Sequence, residues 1–377
     1  MPVGAATGCR RHGVLKQQGP PVRSAAAGSQ GTPRFHSLES ALLAFAEIPL
    51  HDARVSDAVL IAGIDEAGYG PILGPLVVTA TVFEVPIRFA DASLWDLLSK
   101  SVTDEPVARD GRVAILDSKK LYKPKEGLAR LERSVLAAVC ARHGLPARLS
   151  RLLGLVCPDI LSKLAEYPWY RGVDPALPLR ADSGSIRIAA GQLKRDLAAR
   201  SIRLAGVWSE VLPEGHYNRL VGGTRNKAVV LLGLTLRLIQ RIGDAHRGGV
   251  IRFFVDKQGA RDRYGAVLMR SFSQGRLRVI HEDNERSEYE LIGPRSEWRI
   301  SFHESGEARH LPVALASCVS KYVRELFMSC FNEFWSGHVP GLAGTAGYYQ
   351  DGLRFLKDIA PRMEEMGIDQ ARLVRAR

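Results

Sequence analysis

The sequence predicts a mixed α/β protein in which a β-sheet is flanked by helices. Three observations predict this class. Apolar runs of about six to eight residues, the length of a buried strand, recur along the chain. Between them lie longer segments with an apolar residue every three or four positions, which is typical of amphipathic helices. Hydrophobic residues make up 46% of the 377 residues, which is enough for a substantial core.

Composition narrows the class of protein further. The formal net charge is +12, which indicates a polyanionic partner such as nucleic acid. The five cysteines are odd in number, widely separated and without zinc-ligand spacing, so we expect a reducing, cytoplasmic location. No apolar run approaches the roughly 20 residues needed to cross a bilayer, so we expect no membrane partner. The sequence identifies no protein partner.

The first part of the chain differs in composition from the rest. Residues 1–36 are rich in Gly, Ala, Pro, Ser and Gln and carry no hydrophobic period, which predicts a disordered basic tail. An organellar transit peptide, also rich in Arg and poor in acids, is the alternative. Residues 37–335 are expected to form the main domain, with an insertion at about 145–199, and residues 336–377 a C-terminal helical extension. The main domain opens with a predicted short helix at 37–47.

Two apolar runs at 59–64 and 76–83 predict a β-hairpin with a wide connection. Asp65 and Glu66 follow the first run directly. Two carboxylates at the rim of a core are costly because burial and mutual repulsion oppose their ionisation, and a divalent cation is the usual compensation. A polar turn that caps the hairpin is the alternative.

The remaining elements follow from hydrophobic period and capping residues. In chain order they are a short strand at 113–116, a helix capped by Asp117, the proline-rich insertion with a helix at 189–199, a strand at 202–209, a helix at 224–242, a strand at 250–256, a helix at 261–272, a strand at 277–281, an acidic loop at 282–290, a strand at 298–303, a helix at 311–331 and a helix at about 348–359. The strand at 250–256 ends in Asp256, as the first strand ends in Asp65.

Four segments of the chain resemble one enzyme family. They are GIDEAGYGPILGPLVV, DSKKL, an apolar strand that ends in VD, and ALASCVSKYVRE on a helix. In this order they resemble the type 2 ribonucleases H, the ribonuclease HII and HIII group, of which the chain would be a divergent member. The resemblance extends over about 59–359 and is interrupted by the insertion and by the loop around 282–309.

The resemblance implies a ribonuclease H-like mixed sheet flanked by helices, and hydrolysis of the RNA strand of RNA·DNA hybrids to 5′-phosphate and 3′-hydroxyl products. It implies four catalytic and metal-binding carboxylates, Asp65, Glu66, Asp256 and Glu325. They would hold two Mg²⁺ or Mn²⁺ ions about 4 Å apart, with Asp65 bridging both. One ion would activate the attacking water and the other would stabilise the departing 3′ oxygen.

Glu325 departs from the family pattern, which has aspartate at this position. The alternative for Glu325 is a surface ion pair with Lys321, four residues earlier on the helix. Glu285 and Glu288 of the acidic loop are alternative fourth carboxylates.

A further set of residues is expected to contact nucleic acid. Glycines let the backbone approach a phosphate, and lysines and a helix start bind phosphates, although a solvated basic turn is equally compatible. The set is Gly68, Tyr69, Gly70, Ser118, Lys119, Lys120, Lys227 and Lys321. Tyr69 stands where ribonuclease HII has arginine, so we expect cleavage within longer hybrids rather than excision of single ribonucleotides.

Two other functions stay open at this point. One is a hybrid-binding protein that does not cleave, and the other is a different nuclease on the same fold, such as a junction resolvase.

Overall fold

Strands and helices alternate along the chain. The computed structural model describes residues 57–106, 110–123, 126–259, 261–294 and 296–376, so the predicted tail and the helix at 37–47 lie outside the described residues. The strands are β1 (Ala58–Ala67), β2 (Leu76–Pro86), β3 (Val102–Thr103), β4 (Val113–Ala114), β5 (Arg203–Leu212), β6 (Val250–Asp256), β7 (Arg276–Glu282), β8 (Arg286–Ile292) and β9 (Glu297–His303). The helices are α1 (Leu94–Leu97), α2 (Ser118–Leu121), α3 (Ala129–His143), α4 (Leu149–Val156), α5 (Ser183–Ala199), α6 (Glu214–Thr224), α7 (Lys227–Ala245), α8 (Gly265–Ser271), α9 (Gly306–Arg309), α10 (Leu311–His338) and α11 (Tyr349–Glu365).

Seven strands form one mixed sheet in the order β5-β2-β1-β6-β9-β8-β7. The first three pair antiparallel, as the predicted hairpin requires, whereas β1, β6 and β9 run parallel to one another. Strands β8 and β7 add an antiparallel edge. The predicted class, a mixed sheet flanked by helices, is confirmed.

Both faces of the sheet are buried at β1 and β2, and β1 shows how the sequence achieves this. Val59 and Ile61 belong to the core on one face, and Leu60, Ala62 and Ile64 to the core on the other. Successive side chains of a strand point to opposite faces, so a strand covered on both sides has an unbroken apolar run. Helix α10 packs on β1 and β2 from the first face, and α7 contributes to the core on the second.

The start of α10 touches β1 at Gly63. A Cβ atom on Gly63 would lie 2.1 Å from the backbone nitrogen of Val313, so only glycine allows this approach. The Thr81 hydroxyl on β2 donates a hydrogen bond to the Pro312 carbonyl at 2.7 Å. These contacts fix the beginning of the longest helix beside the carboxyl end of β1.

The predicted insertion, residues 145–199, packs on the first-face core. Helix α5, six residues longer than predicted at its start, lies against α3. The buried Trp169 ring contacts Phe331 and Trp335 of α10, with ring centroids 5.8 and 6.4 Å apart. The insertion is therefore joined to the helix that also borders the end of β1.

The predicted acidic loop at 282–290 is wrong, because most of it is strand β8. Ser287, Tyr289 and Leu291 are buried and alternate with charged residues. This alternation is the two-residue period of a strand, which was not recognised among the acids. Glu290, on the other face, is flanked across the ladder by Arg278 at 2.8 Å and Arg299 at 3.7 Å. These opposite charges on neighbouring strands stabilise the pairing.

The helix predicted to start at Asp117 is two helices. The Asp117 side chain caps α2, which ends at Leu121, and α3 begins at Ala129.

Among the described helices, none has the length and apolar character needed to span a membrane.

Candidate active site

The carboxylates predicted from two strand ends meet at one edge of the sheet. Ile64 of β1 is paired with Val255 of the parallel strand β6, so the next residues, Asp65 and Asp256, are neighbours in register. The carboxyl ends of parallel strands are a common position for binding sites in α/β proteins. Asp65, Glu66 and Asp256 line one cavity of about 420 Å³, here called the acidic cavity.

Glu307, an acid that was not predicted from the sequence, also lines this cavity. Strand β9 runs parallel to β6, with His303 paired with Asp256, and the chain then turns into α9, which carries Glu307. Glu307 lines the acidic cavity, and the neighbouring Gly306 amide donates to Asp256 Oδ1 at 2.8 Å. The sequence feature that could have identified Glu307 is its position shortly after β9, the third of the parallel strands.

Glu325, the predicted fourth carboxylate, does not join the other three. It does not line the acidic cavity, and its Oε1 lies 2.6 Å from Lys321 Nζ and 3.9 Å from Arg324 Nη1. The structure therefore places Glu325 in the alternative arrangement, an ion pair on α10. Glu285 and Glu288 do not line the cavity either.

The acidic cavity strongly opposes ionisation of its carboxyl groups. Burial, and then the charges of Glu66 and Asp256, raise the pKa of Asp65 well above its usual value. Burial, followed by Asp256, raises the pKa of Glu66 to about 7. Burial, with a smaller effect from Glu307, raises the pKa of Asp256 to about 7, and Lys119 partly opposes both of these shifts. The negative charge of the cavity therefore lacks sufficient compensation from the described residues.

The donor atoms of the acidic cavity fit a divalent cation by their chemistry. Hard carboxylate oxygens are the ligands that Mg²⁺ and Mn²⁺ prefer. The buried atoms Glu66 Oε2 and Glu307 Oε2 have no hydrogen-bond partner within the described part of the chain. A buried acceptor without a partner is unfavourable, and a cation would satisfy both oxygens.

The side chains are not arranged as a finished metal site. Within the described ranges, no group of three or more His, Cys, Asp or Glu side chains is positioned to hold a metal ion. Two of the carboxylates face backbone amides instead: Asp65 Oδ1 accepts from the Glu66 amide at 2.7 Å, and Asp256 Oδ1 accepts from Gly306. A jointly coordinating arrangement of carboxylates is therefore not preformed within the described residues.

Six of the eight residues predicted to contact nucleic acid line the acidic cavity: Gly68, Tyr69, Gly70, Ser118, Lys119 and Lys321. Lys227 lies beside them, with Nζ 4.9 Å from the centre of the Tyr69 ring. Lys120 is exposed on α2 and does not line this cavity. The cavity thus combines an acidic floor with cations at its border.

A buried arginine holds the turn between β1 and β2. Arg324 of α10 is 2% exposed and donates from Nη2 to the carbonyls of Leu73 and Ala346, at 3.0 and 3.2 Å. Gly68 lies against it with φ +90°, and a Cβ there would lie 2.6 Å from both Arg324 Nε and the Pro75 carbonyl oxygen. Gly68 is therefore required by the fold of the turn itself.

A second buried arginine, Arg375, braces the same turn from the C-terminal segment. Its guanidinium donates to the carbonyls of Gly68, Tyr69 and Gly74, and it lies 4.1 Å from the centre of the Tyr217 ring. No local pattern in the sequence marks Arg324 or Arg375, because their partners are backbone carbonyls far along the chain.

Alanine substitutions at the two glycines of the turn are expected to have different effects. Gly68→Ala should lower the free energy of unfolding by about 2–3 kcal/mol, because the residue has positive φ and its Cβ would overlap Arg324. Gly70→Ala should change it by less than about 0.5 kcal/mol, because no atom lies within 4 Å of the added Cβ. Urea unfolding of both variants measures the difference, and equal stabilities would contradict the described turn.

Glu214, at the start of α6, is a buried acid that also contacts this turn. Its Oε1 accepts hydrogen bonds from the Gly74 amide and the Tyr170 hydroxyl, each at 3.1 Å. Burial raises its pKa to about 7, whereas the hydrogen bonds and Arg375 lower it by less. The folded protein therefore holds this carboxyl group largely protonated at pH 5–6.

Stability is expected to depend on pH through Glu214. Between its unfolded pKa near 4.5 and the folded value near 7, the unfolded chain loses this proton and the folded chain keeps it. The free energy of unfolding therefore falls as pH rises through this window and levels off above it. In Glu214→Gln the fall between pH 5 and 7 should be smaller by about 1–2 kcal/mol. Urea unfolding at pH 5, 6 and 7 tests this against the exposed control Glu364→Gln, and a slope equal to that of the parent protein would contradict it.

Comparison with known proteins gives structural matches alone. No protein-family profile matches the sequence, and no curated protein matches it significantly. Ribonuclease HII from Archaeoglobus fulgidus, solved in complex with PCNA, is 14% identical with a TM-score of 0.38 over 84% of this chain and 94% of that one. Bst-RNase HIII in complex with Mn²⁺ is 16% identical with a TM-score of 0.40 over 85% and 66%. Ribonuclease H2 from Pyrococcus horikoshii OT3 is 13% identical with a TM-score of 0.39 over 83% and 92%.

Proposed function

We propose that the protein is a metal-dependent endonuclease that hydrolyses the RNA strand of RNA·DNA hybrids and leaves 5′-phosphate and 3′-hydroxyl ends. The observation that carries the proposal is the convergence of Asp65, Glu66 and Asp256, joined by Glu307, in one cavity at the carboxyl edge of the sheet. These acids come from segments up to about 240 positions apart in sequence. Burying these carboxyl groups together opposes their ionisation, as their raised pKa values indicate. A cluster of this kind supports a role in binding cations.

The four carboxylates would hold Mg²⁺ or Mn²⁺, two ions in the proposed mechanism. Bound there, the cations would supply Lewis-acid stabilisation of the phosphate oxygens and lower the pKa of a water molecule. The protein's part is to keep Asp65 and Asp256 adjacent on paired strands, and to anchor β1 through the Ser320 hydroxyl, which donates to the Asp65 carbonyl at 3.0 Å. Strand ends fixed in this way limit the rearrangement needed for binding.

Lysines at the border of the cavity would orient the scissile phosphate. Lys119 follows the Asp117 cap at the start of α2, and Lys321 Nζ lies 4.7 Å from the centre of the Tyr122 ring. Tyr69, with Lys227 over its ring, offers an aromatic face for a sugar or base. Contacts of this kind would involve several nucleotides of the bound nucleic-acid strand, which supports cleavage within longer hybrids.

The direct test is cleavage of end-labelled duplexes by the purified protein. An RNA·DNA hybrid should be cut in Mg²⁺ or Mn²⁺ and remain intact in EDTA, while matched DNA and RNA duplexes should not be cut. Product ends distinguish 5′-phosphate from 5′-hydroxyl by their response to phosphatase. Binding of the hybrid without products in either metal would contradict the proposal and support the non-cleaving alternative, and preferential cutting of a four-way DNA junction would support a resolvase.

A further inference from the structure

A second cavity continues from the acidic cavity along α10. It has a volume of about 570 Å³, is here called the lobe cavity, and shares Tyr122 and Ala346 with the acidic cavity. On α10, Lys321 lines the first cavity and Met328 the second. These residues are seven positions apart, or about 10 Å along the helix axis. The two cavities therefore adjoin at Tyr122 and Ala346.

The insertion supplies one wall of the lobe cavity through Leu179 and Arg180. The buried carboxylate of Glu132 on α3 holds this wall in place. It accepts hydrogen bonds from the backbone amides of residues 179, 180 and 181 at 2.6–2.7 Å, and from the Tyr322 hydroxyl at 2.8 Å. Four donors on one buried carboxylate fix the backbone of Arg180 relative to α10.

The charge at the lobe cavity favours an anion. The exposed Arg180 guanidinium has no hydrogen-bond or ion-pair partner within the described residues. Glu325 also lines the cavity, but Lys321 and Arg324 both lie within ion-pair distance of its carboxylate. The Glu325 charge is therefore already compensated from outside the cavity, and Arg180, the cation among the lining residues, remains available for a ligand.

The rest of the lining suits the sugar-phosphate backbone. Leu128, Leu179 and Met328 provide apolar surface, and the exposed Ser329 hydroxyl provides a polar group beside it. Arginine is the side chain whose planar guanidinium matches a phosphate through two parallel hydrogen bonds.

We propose that the lobe cavity binds the backbone of the nucleic-acid strand that extends from the acidic cavity, with Arg180 contacting a phosphate and Glu132 positioning Arg180. This inference rests on the proposed function, because it takes the occupant of the acidic cavity to be nucleic acid. The contacted phosphate therefore lies outside the acidic cavity and flanks the scissile one, and the insertion extends the binding site.

The test compares Arg180→Ala with Arg151→Ala, an exposed arginine of the same insertion that lines neither cavity. Binding of a long hybrid is measured by fluorescence anisotropy in EDTA at several salt concentrations, and cleavage is measured in Mg²⁺. Arg180→Ala should weaken binding about threefold to tenfold, reduce the salt-dependence slope by about one, and raise KM without changing kcat. Arg180→Lys should restore part of the affinity, and Arg151→Ala should match the parent protein.

Substrate length locates the contact. In hybrids shortened stepwise toward the cut from the 5′ or the 3′ side, the difference in affinity between Arg180→Ala and the parent protein should disappear on one of the two sides. If the long hybrid binds both proteins equally with the same salt slope, the inference is overturned while any observed cleavage still supports the proposed function. If the parent protein binds the hybrid and Arg180→Ala loses a phosphate contact, but no cleavage occurs, the subsite stands and the nuclease proposal fails. If the parent protein does not bind hybrids, both are overturned.

Discussion

Asp65→Asn is expected to reduce hybrid cleavage by at least about a thousandfold, the scale of loss when a central catalytic group is removed. The charges of Glu66 and Asp256 both act on Asp65 and raise its pKa, as expected for carboxylates that share one cavity. Asparagine keeps the shape of the side chain and removes the negative charge that a shared cation would need. Single-turnover cleavage of the labelled hybrid in Mg²⁺ measures the effect.

The same substitution should leave the cation-free protein folded and at least as stable at pH 7.5. The pKa of Asp65 is raised, so its ionisation opposes folding above its unfolded pKa, and a neutral asparagine removes this opposition. Urea unfolding in EDTA serves as the control for folding. Full activity in a folded Asp65→Asn variant would contradict the role of this carboxylate.

Glu307→Gln is expected to reduce cleavage by about a hundredfold or more, whereas Glu325→Gln should change it by less than about threefold. Glu307 lines the acidic cavity and has a buried oxygen without a partner among the described residues, whereas Glu325 lies outside that cavity in an ion pair with Lys321. The two variants make the same chemical change on two helices near the site.

Steady-state kinetics over a range of Mg²⁺ concentrations separate the two expectations. The Mg²⁺ concentration needed for half-maximal activity should rise in Glu307→Gln and stay unchanged in Glu325→Gln. The reverse ranking, with Glu325 essential and Glu307 dispensable, would support the assignment made from the resemblance and contradict the one made from the structure.

The sequence predicted the parts of the site that depend on strand ends. Asp65 and Asp256 each close an apolar run, and parallel pairing of those runs brings them together. Glu307 was not predicted because it does not close an apolar run. It lies after a turn that follows β9, on a four-residue helix with no hydrophobic period of its own. The positions of α9 and Glu325 depend on tertiary packing, which a linear motif does not contain.

The residues that hold the turn beside the site could not be predicted from local sequence patterns either. Arg324 and Glu325 are adjacent on α10, yet one is buried against the turn and the other faces the lobe cavity, because the helix lies at the border between core and groove. Arg375 reaches carbonyls about 300 positions away. Strand β8 was not predicted because its acids resemble those of a solvated loop, although Glu290 pairs with arginines of the two neighbouring strands.

The most direct test of the central claim is anomalous diffraction at the manganese edge from crystals of the protein grown with Mn²⁺. We expect anomalous peaks within coordination distance of carboxylate oxygens of Asp65, Glu66, Asp256 and Glu307, with none at Glu325. Peaks confined to other parts of the molecule, or an acidic cavity without manganese at saturating Mn²⁺, would contradict the proposed cation site.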